Sequence, residues 1–505
     1  MSEAVTAPAE HLLSTNAWPR QLLVVLGLVV LADWLFYGHA IGVSALLFLL
    51  ALAAAVIVAS PPQRMREFLL ALGVLAAALV PLAVEISPLS VLFGVLGTAY
   101  FALAATPTGT RWRARLYECA LLLFDGCWQA TFDIIHAARM STSGDAATQR
   151  LGALVVWTMP LALGAIFILL FAAANPLIEG WLTALDFRSQ AGRINPGRVA
   201  FWAIALSLVW PFVFMRDRRR LRERAEAEVR AVCVGIPDAS TPGYLFGKAA
   251  ILRSLIVFNA LFAVQTGLDA AYLWGGATLP DGMTYATYAH RGAYPLIVTA
   301  LMAAAFVILA TRPGSEAERT PLIRALVFLW VAQNVLLVIS SILRLDLYVQ
   351  FYALTYWRVA AFIWMLLVAA GLLLIVARIV LARSNSWLVG MNLGAAALAL
   401  YACCFINMPQ LVANYNVAHS QELGGGIKLD TCYLLALGPH AIPALDRIIA
   451  HRGEKTPPAL IYRRMGLADA HLARMRDWRL WTWNDWRLAS YLRGNPTPAR
   501  AAGAT

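Results

Sequence analysis

The stretch VAAFIWMLLVAAGLLLIVA, residues 359–377, decides the class of this protein. It contains no charged side chain and is bounded by Arg358 and Arg378. An α-helix rises about 1.5 Å per residue, so this stretch extends roughly 28 Å, close to the thickness of the hydrocarbon core of a bilayer. We therefore predict a transmembrane helix here.

The rest of the chain has the same character. Of its 505 residues, 60% are hydrophobic and 13% are charged, whereas soluble proteins carry about 25% charged residues. The mean hydropathy is +0.67. We predict an all-α, polytopic integral membrane helix bundle with about eleven spans, interfacial helices and a small helical C-terminal domain. The approximate span cores are 21–37, 41–59, 68–86, 89–106, 153–174, 199–215, 249–274, 294–311, 322–343, 359–377 and 387–406.

The net charge of +12 could indicate nucleic acid, anionic lipid or the orientation bias of a membrane protein. Alternate connections between the spans hold twenty-one Lys and Arg residues on one side and six on the other. The positive-inside rule then places the N-terminus in the cytoplasm, and with eleven spans the C-terminal domain lies on the outer side of the membrane. The predicted partners are the lipid bilayer and an envelope protein or lipid, and a nucleic acid is not expected.

We divide the chain into four parts. Residues 1–106 form an N-terminal four-helix membrane part, residues 107–152 a cytoplasmic interfacial segment, residues 153–406 a seven-helix membrane part, and residues 407–505 the helical C-terminal domain. Apolar and charged side chains alternate in residues 112–140 and 177–191, as expected for helices lying at the interface. In the C-terminal domain we predict helices over 429–437, 441–451 and 460–492.

Charged groups at the ends of membrane spans are costly, so each is a candidate for function. Most of them fall at the predicted outer ends, where acids and arginines could converge in a charged vestibule and offset the cost of desolvation by pairing. These candidates are Asp33, Glu85, Asp269, Arg344, Asp346 and Arg358. Neutral amides within the spans are expected to join helices by hydrogen bonds. They are Asn259, Gln265, Gln333 and Asn334.

The densest polar motif is RLDLYVQFYALTYWR, residues 344–358. If the helix continues through it, Arg344, Tyr348, Tyr352 and Thr355 lie on one stripe, and Asp346 shares another stripe with Gln350. A second cluster, TYATYAHRGAYP at residues 284–295, repeats this chemistry with Tyr285, Tyr288 and Arg291. Two interpretations stay open: a polar recognition or gating surface in which the two clusters dock, and a structural belt of interfacial aromatic residues.

These motifs, together with NPLIEGWL at residues 175–182 and DTCYLLALGPHAIPAL at residues 430–445, resemble an uncharacterised bacterial inner-membrane family known only as a domain of unknown function. The resemblance covers about residues 150–450. Members of that family often carry Glu where Gln350 stands and Gly where Ala353 stands. The resemblance implies a multi-pass protein and transfers no catalytic residue.

The chain lacks the phosphate-binding loop of ATPases, the zinc-protease motif and the serine-hydrolase motif. Its cysteines are scattered without metal-type spacing, so we predict no catalytic residue, metal or cofactor. Our leading hypothesis is a non-enzymatic envelope protein that binds, senses or scaffolds through its periplasmic rim and tail. The alternatives are a secondary transporter of a small solute or lipid and, more remotely, a lipid-linked glycosyl or related transferase.

Overall fold

The computed structural model describes residues 18–59, 65–104, 112–124, 126, 129–130, 195–214, 248–271 and 320–496. These ranges are helical and contain no strand, only an isolated bridge between Ser420 and Ile427. Their α-helices are α1 Trp18–Phe36, α2 Val43–Ala59, α3 Met65–Val84, α4 Pro88–Ala104, α5 Trp112–Phe124, α6 Pro196–Val213, α7 Lys248–Asp269, α8 Pro321–Tyr352, α9 Tyr356–Val380, α10 Asn385–Cys403, α11 Met408–Ala418, α12 Thr431–Ala436, α13 Ile442–Arg452, α14 Pro458–Arg474 and α15 Trp483–Gly494.

Helices α1 to α4 and α6 to α10 coincide with nine of the predicted spans. Four of them, α3, α8, α9 and α10, are long and apolar enough to cross a membrane, and shorter apolar helices accompany them. The predicted spans at 153–174 and 294–311 and the segment 177–191 lie outside the described residues. The all-helical class is therefore confirmed, and the total of about eleven spans stays a prediction.

The outward faces of these apolar helices carry large aliphatic side chains. Val30 is 68% exposed, Leu366 61% and Leu398 69%. Soluble proteins rarely expose long apolar faces, whereas a helix in lipid satisfies its backbone internally and presents such side chains to acyl chains. The apolar helices thus have the surface of a membrane protein.

The described residues fall into two compact units. The first comprises residues 1–235 and 477–483. In it, α3 and α4 pack closely because Gly97 has no side chain: a Cβ there would lie 2.2 Å from that of Ala78. Small residues permit this approach between membrane helices, where dispersion contacts replace the hydrophobic effect.

The second unit comprises residues 236–476 and 484–505. Polar side chains join α7 to α8, since Asn259 Nδ2 donates to Leu326 O at 3.1 Å and Gln333 Nε2 donates to Asn259 O at 3.2 Å. The expectation that the mid-span amides join helices is confirmed for Asn259 and Gln333, whereas Asn334 Nδ2 donates to Trp330 O within its own helix. Apolar residues of α7 to α10 fill the surrounding core.

The C-terminal helices form two smaller cores, one of α11 to α14 with residues from the ends of α8 and α9, and one of α13, α14 and α15. Val412, Leu445 and Ile448 are buried in the first core together with Val349 and Leu354. The prediction of one helix over 460–492 is wrong, because α14 ends at Arg474 and α15 begins at Trp483. Residues 477–483, between these two helices, belong to the first unit.

Candidate functional site

The predicted polar motif at 344–358 contains a break rather than a continuous helix. Helix α8 ends at Tyr352, Ala353 takes a left-handed φ of 67°, and Thr355 is the N-cap of α9. Thr355 is therefore not on the stripe of Arg344, Tyr348 and Tyr352, and that part of the prediction is wrong. We call residues 353–355 the joint.

One side chain from the C-terminal helices holds this joint. The Leu354 N–H donates to Asn416 Oδ1 at 2.6 Å, and Asn416 Nδ2 donates to Leu354 O at 3.0 Å. Both bonds are buried, and Asn416 is 2% exposed. Because a buried backbone group without a partner is costly, Asn416 replaces the hydrogen bonds that the ended helix no longer supplies.

Arg358 stabilises the other side of the joint. Its guanidinium donates to the carbonyl oxygens of Tyr352 and Ala353 at the end of α8, where the helix dipole favours a positive charge. It also lies 4.5 Å from the ring centroid of Tyr348, which stacks on Tyr352. Three predicted site residues therefore form one structural cap.

The remaining members of the motif are also used within the chain. Gln350 Nε2 donates to Asp346 Oδ2 at 2.9 Å, which confirms that these two share a stripe. Arg344 is 7% exposed and so lies inside the packed unit rather than on a free surface. Burial, and then the Asp346 carboxylate, raise the pKa of Tyr415 in α11. The motif is therefore a surface on which the C-terminal helices of the same chain pack.

Asp33, in the first unit, has partners that the sequence did not indicate. Arg198 Nε donates to Asp33 Oδ1 at 2.8 Å, and Trp202 Nε1 donates to the same oxygen at 2.9 Å. The Arg198 guanidinium also lies 5.3 Å from the ring centroid of Tyr37. This cluster joins α1 to α6, and the Arg198 guanidinium compensates the charge of the Asp33 carboxylate.

Two further predicted rim residues, Glu85 and Asp269, lie at helix ends. Glu85 follows the end of α3 and is half-buried, with its N–H bonded to Pro81 O. Asp269 is the last residue of α7. Tyr285, Tyr288 and Arg291, and with them the docking of their cluster on 344–358, lie outside the described residues.

Residues 477–483, which we call the strap, cover the turn between α1 and α2. The Val43 N–H donates to Trp481 O at 3.0 Å, and the His39 ring lies 3.1 Å from Asp477 Oδ2. A Cβ at Gly42 would lie 2.3 Å from Arg479 O, so only glycine allows this contact. The strap therefore depends on the absence of a side chain at Gly42.

Cation–π contacts hold the same strap against α1. The Arg479 guanidinium lies 4.9 Å from the ring centroid of Trp34 and 5.2 Å from that of Trp478. The Arg479 N–H groups and His39 lower the pKa of Asp477, so the carboxylate stays ionised beside them. The structure thus gives Arg479 and Trp478 specific partners within the first unit.

The C-terminal helices contain two buried polar clusters that sequence reasoning missed. Arg464, 3% exposed, donates from Nε and Nη2 to both oxygens of Asp446 at 2.8 Å. Tyr491 also donates to Asp446, at 3.0 Å; burial, then the Asp446 carboxylate, raise the Tyr491 pKa to about 12. This cluster joins α13, α14 and α15.

The second cluster surrounds Asp485. His440 Nε2 lies 3.2 Å from Asp485 Oδ1, and His471 Nε2 donates to Asp485 O at 3.1 Å. Arg474 lies 3.9 Å from the other carboxylate oxygen. No group of three His, Cys, Asp or Glu side chains in the described ranges is arranged to hold a metal ion. The stripe Leu460, Arg464, Ala468 and His471, at helical spacing, could have indicated both clusters.

The family model described as Domain of unknown function (DUF4153) matches residues 68–448. The chain belongs to the DUF4153 family. The resemblance drawn from the sequence motifs is thereby confirmed. No curated protein and no solved structure matches the chain.

The DUF4153 match includes some of these features and not others. It contains the joint, Arg358 and Asn416, whereas the strap and the buried residues Arg464 and His471 follow its end at residue 448. Asn416 and the joint that it holds thus lie within the region that the family model matches.

Replacing Ala353 by glycine is expected to stabilise this DUF4153 protein. Ala353 has φ 67° and ψ 166°, a region open essentially only to glycine, and such strain costs about 1–3 kcal/mol. Because glycine also gains freedom in the unfolded chain, we expect a net gain of about 1 kcal/mol. Thermal unfolding of the purified protein would measure it. An unchanged or lower melting temperature would contradict the assigned strain; Ala360→Gly, within α9, should destabilise.

Acid is expected to weaken the C-terminal helices before their carboxylates titrate. Burial lowers the pKa of His471, so the folded state keeps this imidazole neutral, while the unfolded chain binds a proton near pH 6.5. The unfolded state therefore gains protons as pH falls, and stability present above about pH 6.5 is lost below it. Arg452 lowers the pKa of Glu422, so that ion pair persists at pH 5.

Melting temperatures at pH 7.5 and pH 5 would test this expectation. His471→Gln keeps a donor for Asp485 O but cannot be protonated, so the variant should show a smaller difference between the two pH values. Equal pH dependence in both proteins would show that His471 is not the group responsible.

Proposed function

We propose that this chain is a non-enzymatic protein of the bacterial inner membrane whose C-terminal helices lie in the periplasm, bind an envelope partner and transmit the bound state to the membrane helices. One observation carries the proposal: Asn416 of α11 is bonded to both backbone groups of Leu354 between two long apolar helices. A shift of α11 must therefore either move the joint or break two buried hydrogen bonds.

The joint has the properties of an element that can take two arrangements. Ala353 stores backbone strain, and strain of this kind is common at switch regions. The polar groups around it hold α8, α9 and α11 in place: Arg358 bonds backbone carbonyls and Asp346 bonds Gln350. These contacts favour a mechanical role over a chemical one.

The glycosyl transferase alternative receives little support. Such enzymes present acidic residues on a large first outer loop, whereas the chain here passes from α1 to α2 within a few residues. The strap covers that turn, and Asp33 is bonded to Arg198. The transporter alternative is favoured by the polar amides at mid-span between α7 and α8.

Topology can be tested with the natural cysteines. Cys432 is exposed on α12, and the sequence places Cys233 in the cytoplasm. A membrane-impermeant maleimide applied to cells with a permeabilised outer membrane should label Cys432, and should label Cys233 only after the inner membrane is disrupted. Cys432→Ser should remove the early signal. The reverse order of labelling would place the C-terminal helices in the cytoplasm and refute the proposal.

Partner binding can be tested by photocrosslinking in living cells. Tyr462 on α14 is 73% exposed, and exposed tyrosines are frequent in binding interfaces. A photoreactive residue at Tyr462 should give a discrete protein adduct, while the same residue at the lipid-facing Leu398 should give none. If Tyr462 and several other exposed positions of α14 crosslink to no protein, the partner-binding role fails.

A further inference from the structure

The contact between α7 and α8 contains polar side chains at mid-span that the proposed role of the C-terminal helices does not use. Asn259 lies eleven residues from Lys248 and ten from Asp269, so it is roughly 15–17 Å from either end of α7. On α8, Trp330, Gln333 and Asn334 fall within an arc of about 100°. Asn259 and Gln333 contact each other across the two helices.

The hydrogen bonds of each side-chain amide determine which of its atoms has no partner. Asn259 Nδ2 donates to Leu255 O and Leu326 O, Gln333 Nε2 donates to Asn259 O, and Asn334 Nδ2 donates to Trp330 O at 2.8 Å. Because each of these acceptors is a carbonyl oxygen, the amides cannot be turned over without losing a bond.

The amide oxygens are therefore the atoms without partners. Asn259 Oδ1, Gln333 Oε1 and Asn334 Oδ1, together with Trp330 Nε1, have no hydrogen-bond partner among the described residues. Asn259 is 6% exposed, Gln333 9%, and both Asn334 and Trp330 0%. A buried polar atom without a partner costs free energy, and at mid-span no bulk water offsets that cost. Hydrogen bonds from the three amide nitrogens would be enough for helix packing, so packing does not explain why three amide oxygens are buried there.

We propose that the α7–α8 contact is a mid-span binding site for a neutral molecule that carries hydroxyl groups. Three acceptors and one indole donor match hydroxyl groups, which both donate and accept. Along α7 and α8 the carboxylates are Asp269 and Asp346, ten or more residues from these amides, so a cation held between the two helices would lack a counter-charge from them. An anion would face three acceptor oxygens.

Binding at this site requires a movement of the helices. The leftover oxygens and the indole nitrogen are closed off from solvent in the described arrangement, so α7 and α8 must part to admit a ligand. Asn259 and Gln333 bond across the contact through single hydrogen bonds, which a hydroxyl group can replace. The inference does not depend on the C-terminal helices or on a protein partner.

The test uses the full-length protein in lipid nanodiscs, with glycerol as the probe and saturation-transfer NMR as the readout. Gln333→Leu and Asn334→Leu should lower the glycerol signal about threefold or more, as expected for one lost hydrogen bond. Asn392→Leu is the matched control, because Asn392 on α10 makes the same bond to its own helix, at 2.9 Å to Leu388 O, but is only half-buried.

A thermal melt of each variant keeps the result interpretable. If the oxygens lack partners, the leucine variants at 333 and 334 should melt at or above the temperature of the parent protein, so a lost signal reflects the site and not unfolding. Equal glycerol signals in all four proteins, or none above empty nanodiscs, would overturn the proposal. Sodium line broadening that depends on Gln333, in place of glycerol transfer, would also overturn it by showing a cation site.

Discussion

Replacing Asn416 by leucine is expected to loosen the C-terminal helices from the membrane helices. Leucine is similar in size but leaves the N–H and C=O of Leu354 buried without partners. Each lost partner costs about 1–3 kcal/mol, so the pair is worth roughly 2–4 kcal/mol when coupling between the bonds is allowed for. Amide hydrogen exchange should rise in α11 and at the start of α9, while α3 and α4 in the first unit keep their protection.

Asn414→Leu is the matched control for this prediction. Asn414 lies on the same helix and accepts a hydrogen bond from Arg447, but that bond is exposed. We expect its replacement to change stability by less than about 1 kcal/mol. If both leucine variants show the same amide hydrogen exchange, Asn416 does not hold the joint. The proposed transmission from α11 to α8 and α9 would then have no contact to support it.

Replacing Arg464 by methionine is expected to have the largest effect within the C-terminal helices. The change leaves the Asp446 carboxylate partly buried with only Tyr491 as a described partner, and breaking a buried ion pair costs about 3–5 kcal/mol. Loss of the pair separates α13, α14 and α15. Limited proteolysis should then cut within residues 450–490 at protease concentrations that leave the parent chain intact.

Two further variants separate the ion pair from other causes. Arg463→Met changes the exposed neighbour on the same helix and should have little effect. Adding Asp446→Leu to Arg464→Met removes the uncompensated charge, and such apolar replacement of a buried pair is often close to neutral. A double variant as unstable as the single one would show that Arg464 acts through packing instead of charge.

The long apolar helices α1 to α4 and α6 to α10 were predictable from the sequence because each coincides with an extended apolar run. Residues 359–377 form such a run without a charge, and α9 contains them. The end of α8 was not predictable, because alanine at 353 favours continuation and no local residue stops the helix. The stop comes from Asn416, more than sixty residues later, whose amide takes over the backbone groups of Leu354.

Long-range contacts also explain what was missed at the site. Asp33 was recognised as a costly charge, but Arg198 lies 165 residues away and only the folded chain brings them together. The same holds for the strap, where Asp477 caps a short turn and Trp481 O accepts from Val43. Sequence periodicity favoured an uninterrupted helix there because periodicity reports local packing and not distant partners.

Gly42 also constrains how many times the chain crosses the membrane. The strap touches the turn that follows the first span, so residues 42 and 479 must lie on the same side of a bilayer. Between them the chain must then cross an even number of times, and with the first span the total up to residue 479 is odd. The predicted total of eleven spans has this parity, and with the predicted cytoplasmic N-terminus we expect the C-terminal helices in the periplasm.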